Sequence, residues 1–115
     1  MFYFKKLKVY QNAIKIHVDI YDFIDQKKIK NPHREQLERA SLSTVLNIAE
    51  GTGRFSVKEK KRFLEISRTS VFECVAVFDC LTQIGFLPEQ LNSEFEERYE
   101  EQSRMIMALR KSLGD

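Results

Sequence analysis

The sequence predicts an all-α fold, an antiparallel up-down-up-down four-helix bundle that takes residues 1–115 as a single domain, and three observations lead there. Apolar residues recur at steps of three and four in four long segments. Punctuation is scarce, four glycines and two prolines in 115 residues, and apart from one glycine near the C-terminus it falls between those segments. A composition of 43% hydrophobic and 31% charged residues lacks the polar bias of a disordered chain, and neither strand-like alternation nor a solenoid-length repeat interrupts the pattern.

The first helix is expected from about Phe4 to Gln26, with Leu7, Tyr10, Ala13, Ile14, His17, Val18, Tyr21 and Ile24 on one apolar face. Asn31-Pro32 then offers an N-cap followed by a proline at the first helical position, where the missing N–H costs nothing. The second helix places Leu37, Ala40, Ser41, Thr44, Val45, Ile48 and Ala49 on its inner face. Leu42 and Leu46 widen the apolar sector, so this helix should be the most buried. Its end is expected at Glu50-Gly51, because glycine adopts the left-handed conformation that closes a helix, and Gly53 keeps the turn short.

Ser56-Val57-Lys58-Glu59 has the form of a capping box, in which serine and glutamate each satisfy an orphan backbone N–H. Phe63, Ile66, Ser67, Ser70, Cys74, Val77, Phe78, Leu81 and Ile84 carry the third and longest helix to Gly85. The last helix starts at Pro88 or after a cap at Asn92 and runs through Leu91, Phe95, Tyr99, Gln102, Ile106, Leu109 and Leu113 at near-heptad spacing. Short connections make sequential helices antiparallel neighbours, which gives the up-down topology.

Several classes of chemistry are disfavoured. No run approaches the roughly 20 apolar residues of a bilayer span, and the N-terminal residues lack a signal peptide's order of charge before an apolar stretch; a cytoplasmic protein is expected. Cys74 and Cys80, six residues apart, lie on opposite helix faces and cannot bridge each other there; both are expected to be buried thiols. His17 and His33 have no cysteine or acid partner at ligand or triad spacing. Tyr10 and Tyr21 are expected in the core with a hydrogen-bond partner for each hydroxyl. The turn Gly51-Thr52-Gly53-Arg54-Phe55-Ser56 leads into a helix N-terminus but lacks the spacing that wraps a nucleotide. No catalytic residue, cofactor or metal site follows from the sequence, and a non-enzymatic protein is expected.

The unusual polar residues are Asn47, Glu50 and Glu73, which sit among apolar neighbours. Antiparallel packing about a turn at Gly51–Phe55 would bring Arg34 opposite Glu73, Glu38 or Arg39 opposite Arg68, and Asn47 opposite Lys60. Glu73 is therefore expected to pair with Arg34, while Asn47 and Glu50 bond to the turn and the start of the third helix. Glu50 and Glu73 fall near opposite ends of facing helices and should not form a carboxylate pair.

The net charge of +2 conceals an asymmetry: residues 1–68 carry 15 Lys/Arg against 8 Asp/Glu, and residues 69–115 carry 4 against 9. Lys5, Lys6 and Lys8 flank the first helix start, and Arg54, Lys58, Lys60, Lys61 and Arg62 surround the third. Up-down topology puts those two starts at one end, with Lys27, Lys28, Lys30 and Arg34 at the other. Clustered cations can neutralise phosphates, though many such clusters serve only solubility.

Phe4-Lys5-Lys6-Leu7-Lys8-Val9-Tyr10-Gln11, Gln36-Leu37-Glu38-Arg39-Ala40 with Ser43, Asn47-Ile48-Ala49-Glu50-Gly51 followed by Gly53-Arg54, and Phe63-Leu64 with Ser70 and Glu73 together give a resemblance. Over about residues 4–113 the chain resembles the four-helix-bundle proteins encoded in intervening sequences of bacterial 23S rRNA genes, the S23 type. It is also similar to accessory proteins of diversity-generating retroelements. The resemblance implies a bacterial cytoplasmic protein without enzyme activity that assembles as a homopentamer. The leading expectation is an oligomeric, RNA-associated nucleic-acid-binding protein that contacts phosphates through Lys5, Lys6, Lys8, Arg54, Lys58, Lys60, Lys61 and Arg62. The alternative is an oligomeric scaffold that recruits a protein partner through an acidic last helix bearing Glu94, Glu96, Glu97, Glu100 and Glu101.

Overall fold

A computed structural model describes residues 1–114, which form a single turn of 3-10 helix, Tyr3–Lys6, and four α-helices. These are α1, Lys8–Lys27; α2, His33–Gly53; α3, Val57–Gln83; and α4, Glu89–Ser112. Side-chain pairs fix the directions. His17 on α1 meets Ser41 on α2, α2 meets α3 through Thr44 with Ser67 and Arg39 with Glu73, and α4 returns to α1 through Arg98 with Asp19 and Gln102 with Val9. Contacts between α1 and α2, α2 and α3, α3 and α4, and α4 and α1 close a ring of four antiparallel neighbours.

α1 is entered later than the sequence predicts. Leu7 is extended, so Phe4 belongs to the preceding 3-10 turn and the helix starts at Lys8. α1 also turns a different face inward: Val9, Ala13, Ile16, Ile20, Phe23 and Ile24 are buried. Of the face named from periodicity Ala13 and Ile24 are buried and Leu7 and Tyr10 pack partly buried against the core, whereas Val18 keeps 50% of its surface exposed and Tyr21 60%. The cause is that α1 carries two apolar stripes, and the period alone does not say which one meets the other helices.

The second helix also shifts at both ends. Pro32, not Asn31, is the N-cap residue, although Asn31 still accepts a hydrogen bond from the Glu35 N–H at 3.2 Å. Gly51 does not terminate the helix, which continues to Gly53. The left-handed residues at helix ends are instead Lys28 after α1, Gly85 after α3 and Gly114 after α4. Gly51 is buried against α3, where an added Cβ would lie 3.3 Å from the Lys60 carbonyl oxygen and 3.4 Å from the Phe63 Cβ. Glycine is required there for close approach. Gly51→Val is expected to force the two helices apart and lower stability by about 1–3 kcal/mol in urea denaturation.

The α2/α3 seam is lined by small residues and closed by hydrogen bonds. The buried Ser67 hydroxyl donates to the Thr44 carbonyl at 2.8 Å, and the Ser43 and Ser70 hydroxyls lie 2.8 Å apart. With α2 extended past Gly51, the facing pairs are displaced by more than a helical turn from those expected. Arg39, not Arg34, reaches Glu73, at 3.6 Å, while Arg34 pairs with Glu38 on its own helix at 2.8 Å. Asn47 does not reach the start of α3; its amide donates to the Ser43 carbonyl and hydroxyl at 2.8 and 3.0 Å. Glu50 does bond the turn, through Arg54 at 2.9 Å, but Glu50 and Glu73 are exposed rather than enclosed.

The core is apolar apart from Ser41, Thr44, Ser67 and Ser70 in the seams of α2 and from Gln102 on α4. Phe23, Phe78 and Phe95 form an aromatic cluster, with Phe78 and Phe95 stacked at 4.5 Å between centroids. Gln102 is fully buried and satisfied, donating to the Val9 carbonyl at 3.0 Å and accepting from Asn12 at 2.7 Å. The buried tyrosine is Tyr99 rather than Tyr10 or Tyr21, and it lies against the buried Cys74 thiol. Burial pushes that thiol up to about 12, which keeps it protonated and inert. Cys80 is exposed, contrary to expectation.

His17 is half-buried in the α1/α2 seam, with Nδ1 2.7 Å from the Ser41 hydroxyl. Desolvation lowers its pKa below the ordinary 6.5, against a smaller opposing pull from Glu38. A histidine whose folded pKa is depressed binds fewer protons than the unfolded chain, so its contribution is intact above pH about 6.5 and is lost as pH falls below it. Urea midpoints should therefore decline from pH 7 to 5, and His17→Gln should flatten that decline.

Candidate nucleic-acid interface

Topology gathers the start of α1, the end of α2, the start of α3 and the end of α4 at one pole. The N-terminal turn packs there: Phe2, Tyr3 and Phe4 line one groove with Leu46, Ala49, Gly53 and Arg54. Lys5, Lys6, Lys8, Arg54, Lys58 and Arg62 are exposed at this pole, and Lys60 and Lys61 are partly buried. The basic residues expected to share an end therefore do so.

They are not equivalent. Lys60 is a structural residue, since its ammonium donates to the Thr52 carbonyl at 3.1 Å and so satisfies the last turn of α2. Arg54 and Arg62 are both ion-paired, to Glu50 at 2.9 Å and to Glu59 at 3.0 Å, and both guanidinium groups lie over the Phe63 ring at 4.4 and 4.6 Å. Such surface pairs add little to stability, but they fix where the two guanidinium groups point. The Arg62 hydrogen bond holds the Glu59 carboxyl below its usual range, with smaller pulls from Arg54 and Lys58. Lys5, Lys6, Lys8, Lys58 and Lys61 form no salt bridge among the described residues, which leaves them available to an anionic ligand.

The turn itself is built by half of the expected capping box. The Ser56 hydroxyl accepts the Glu59 N–H at 3.1 Å, while the Glu59 carboxylate turns to Arg62 instead. α3 therefore begins sharply, directing Arg54 and Phe55 outward ahead of Lys58. Arg110 and Lys111, in the last turn of α4, add to this pole and were missed by sequence reasoning, which grouped charges by the helix starts alone. The signal was present in the topology already inferred, since α4 must end where α1 begins.

The other polar candidates lie apart from one another: Glu50 bonds Arg54, Glu73 lies against Arg39 and His17 meets Ser41. Among the described residues no group of three or more His, Cys, Asp or Glu side chains could hold a metal ion. No helix among them is long and apolar enough to cross a membrane. On the α3/α4 side an open groove has a floor of Val71, Val75 and Tyr99 and a rim that includes Asp79, Glu96 and Glu100.

These features define a small four-helix bundle with basic residues gathered at the pole of the α2–α3 turn and an acidic last helix. Residues 5–108 match the model of the 23S rRNA-intervening sequence protein family, and the chain belongs to that family. None of the curated proteins matches it. Among solved structures it is similar to a protein of unknown function from the S23 ribosomal protein family of Bacteroides thetaiotaomicron. The TM-score is 0.80 at 16% identity, over 90% of this chain and 98% of that one, a likeness that speaks for the fold.

Proposed function

We propose that this protein is a non-enzymatic, cytoplasmic, oligomeric nucleic-acid-binding protein whose basic pole engages RNA phosphates. The observation that carries the reading is the set of lysines at that pole, Lys5, Lys6, Lys8, Lys58 and Lys61, which form no salt bridge among the described residues. Lysines in that state can exchange condensed counterions for phosphates, which makes binding salt-dependent and poor in sequence preference. Membership of a family named for 23S rRNA intervening sequences supports RNA as the ligand to try first. Electrophoretic shifts with structured RNA and duplex DNA at low salt test it; binding that weakens steeply with salt is expected, and no shift with either would overturn it.

Assembly is part of the proposal. Ile14, Val18 and Tyr21 on α1 lie on the same side as Leu42 and Leu46 on α2, a register tied by the His17–Ser41 hydrogen bond, and all five are exposed. Phe72 and Met107 are exposed on the opposite, α3/α4 side. Two different apolar faces on opposite sides suit a head-to-tail contact that closes into a ring, and five copies is the number implied by the family resemblance. Leu46→Glu is expected to reduce the molar mass measured by light scattering to that of a single chain; an unchanged mass would remove this face from the assembly.

A second reading is favoured by the α3/α4 groove, whose apolar floor and Asp79, Glu96 and Glu100 carboxylates suit a basic amphipathic segment of a protein partner. A partner retained after nuclease treatment and lost with Glu96→Lys/Glu100→Lys would support it over the RNA reading.

A further inference from the structure

The α2–α3 turn carries a feature that phosphate contacts leave unused. Phe55 is fully exposed at the tip of that turn, at 102% of the reference surface the most exposed large apolar side chain among the described residues. A phenylalanine stabilises a fold by being buried, so a ring left in solvent contributes nothing to folding. Its position is nonetheless fixed. Gly53 ends α2 just before it, the Ser56 hydroxyl caps α3 just after it, and its neighbour Arg54 is held by Glu50 and the Phe63 ring.

Its surroundings are cationic, with Arg54 adjacent in the chain and Lys58, Lys61 and Arg62 on the first turns of α3. Two more exposed aromatics, Phe2 and Tyr3, stand at the same pole beside Lys5 and Lys6, held against the end of α2. Aromatic rings interleaved with exposed cations form a platform for single strands: ammonium groups take the phosphates while a ring stacks on an unstacked base. Duplex nucleic acid offers the same phosphates but hides its base faces.

We infer that Phe55 is a base-stacking residue and that the basic pole selects nucleic acid with unpaired bases, in a single strand or a loop, over a continuous duplex. This rests on the nucleic-acid reading above and names the ligand class for the same pole. Stacking on one aromatic ring is worth about 1–3 kcal/mol, so Phe55→Ala should weaken single-strand binding by about 5- to 150-fold and leave duplex binding nearly unchanged. Lys58 and Lys61 should affect both ligands alike.

The chain contains no tryptophan, so Phe55→Trp in the otherwise intact protein places a single reporter at the site. Its emission is titrated at low salt with a single-stranded RNA, the same sequence as DNA, the RNA duplex, heparin and vesicles of anionic phospholipid, while binding of labelled nucleic acid is followed by anisotropy. Quenching by the single strands, with little change on adding duplex or heparin, is the expected result; comparison of the RNA and DNA arms assigns the source of the bases. Anisotropy showing single-strand binding without quenching, and without loss in Phe55→Ala, overturns the stacking role while leaving the nucleic-acid reading intact. No anisotropy change with any nucleic acid overturns both. Emission already blue-shifted in the free protein in a concentration-dependent way would place Phe55 in a contact between copies, and a blue shift with vesicles alone would make the pole a membrane-binding surface; either overturns the inference.

Discussion

Reversing Lys58 and Lys61 together to glutamate is expected to reduce affinity for structured RNA by about a hundredfold at about 50 mM salt. Each phosphate contact supplies roughly 0.9 of slope in the logarithm of the binding constant against that of salt, which at this concentration is about tenfold per contact, so two lost contacts multiply to that figure. The slope itself should fall by about 2. Both lysines lie on the first turns of α3 and neither forms a salt bridge among the described residues, so the change removes ligand contacts without breaking an internal pair. Lys60→Glu is the informative contrast. Its ammonium satisfies the Thr52 carbonyl, so that substitution should lower the urea midpoint, whereas the Lys58/Lys61 double variant should unfold like the parent. Fluorescence anisotropy at several salt concentrations checks the first effect, and denaturation of the same samples checks the second.

Phe78→Ala is expected to have the largest effect on stability, a loss of about 3–5 kcal/mol, seen as a fall of roughly 2 M in the urea midpoint. Phe78 is buried at the junction of three helices, stacked on Phe95 of α4 at 4.5 Å and edge-on to Phe23 of α1 at 6.0 Å. Truncation leaves a cavity that two large rings border and cannot easily refill. A domain of this size has only about 5–15 kcal/mol in total, so the variant should be partly unfolded at physiological temperature. Phe72→Ala on the same helix, where the ring is exposed, should cost little, and near-equal losses from the two variants would contradict the assigned packing.

Most of the fold was legible in the sequence because helix periodicity and terminators agreed. Ser56 caps α3 as its spacing implied, Gly85 closes it, and Phe95, Tyr99, Gln102 and Ile106 face inward on α4. The errors share one physical origin. Periodicity reports that a face is apolar but not what it meets, so the outer stripe of α1 looks like core in the sequence while Ile14, Val18 and Tyr21 are exposed in the fold. Gly51 looks like a terminator in the sequence because glycine permits both a left-handed turn and a close approach, and only packing against α3 distinguishes them. That misplaced helix end displaced the register, which sent Glu73 to Arg39 rather than Arg34 and Asn47 to Ser43 rather than Lys60.

The candidate site was legible as a set of charges but not as a surface. Sequence placed Lys5, Lys6, Lys8, Arg54, Lys58, Lys60, Lys61 and Arg62 at one end; it did not distinguish Lys60, occupied by a backbone carbonyl, or Arg54 and Arg62, occupied by carboxylates, from the lysines left open. Nor did it draw Phe55 out of the turn, because exposure of an apolar residue depends on the path of the backbone on either side.

The molar mass in solution, measured by light scattering with and without structured RNA at about 50 mM salt, tests oligomer and ligand together. A single species at a multiple of the 13.6 kDa chain, five copies by the proposed ring, that gains the mass of RNA and releases it as salt is raised is the predicted result. A single-chain mass that RNA leaves unchanged would contradict it.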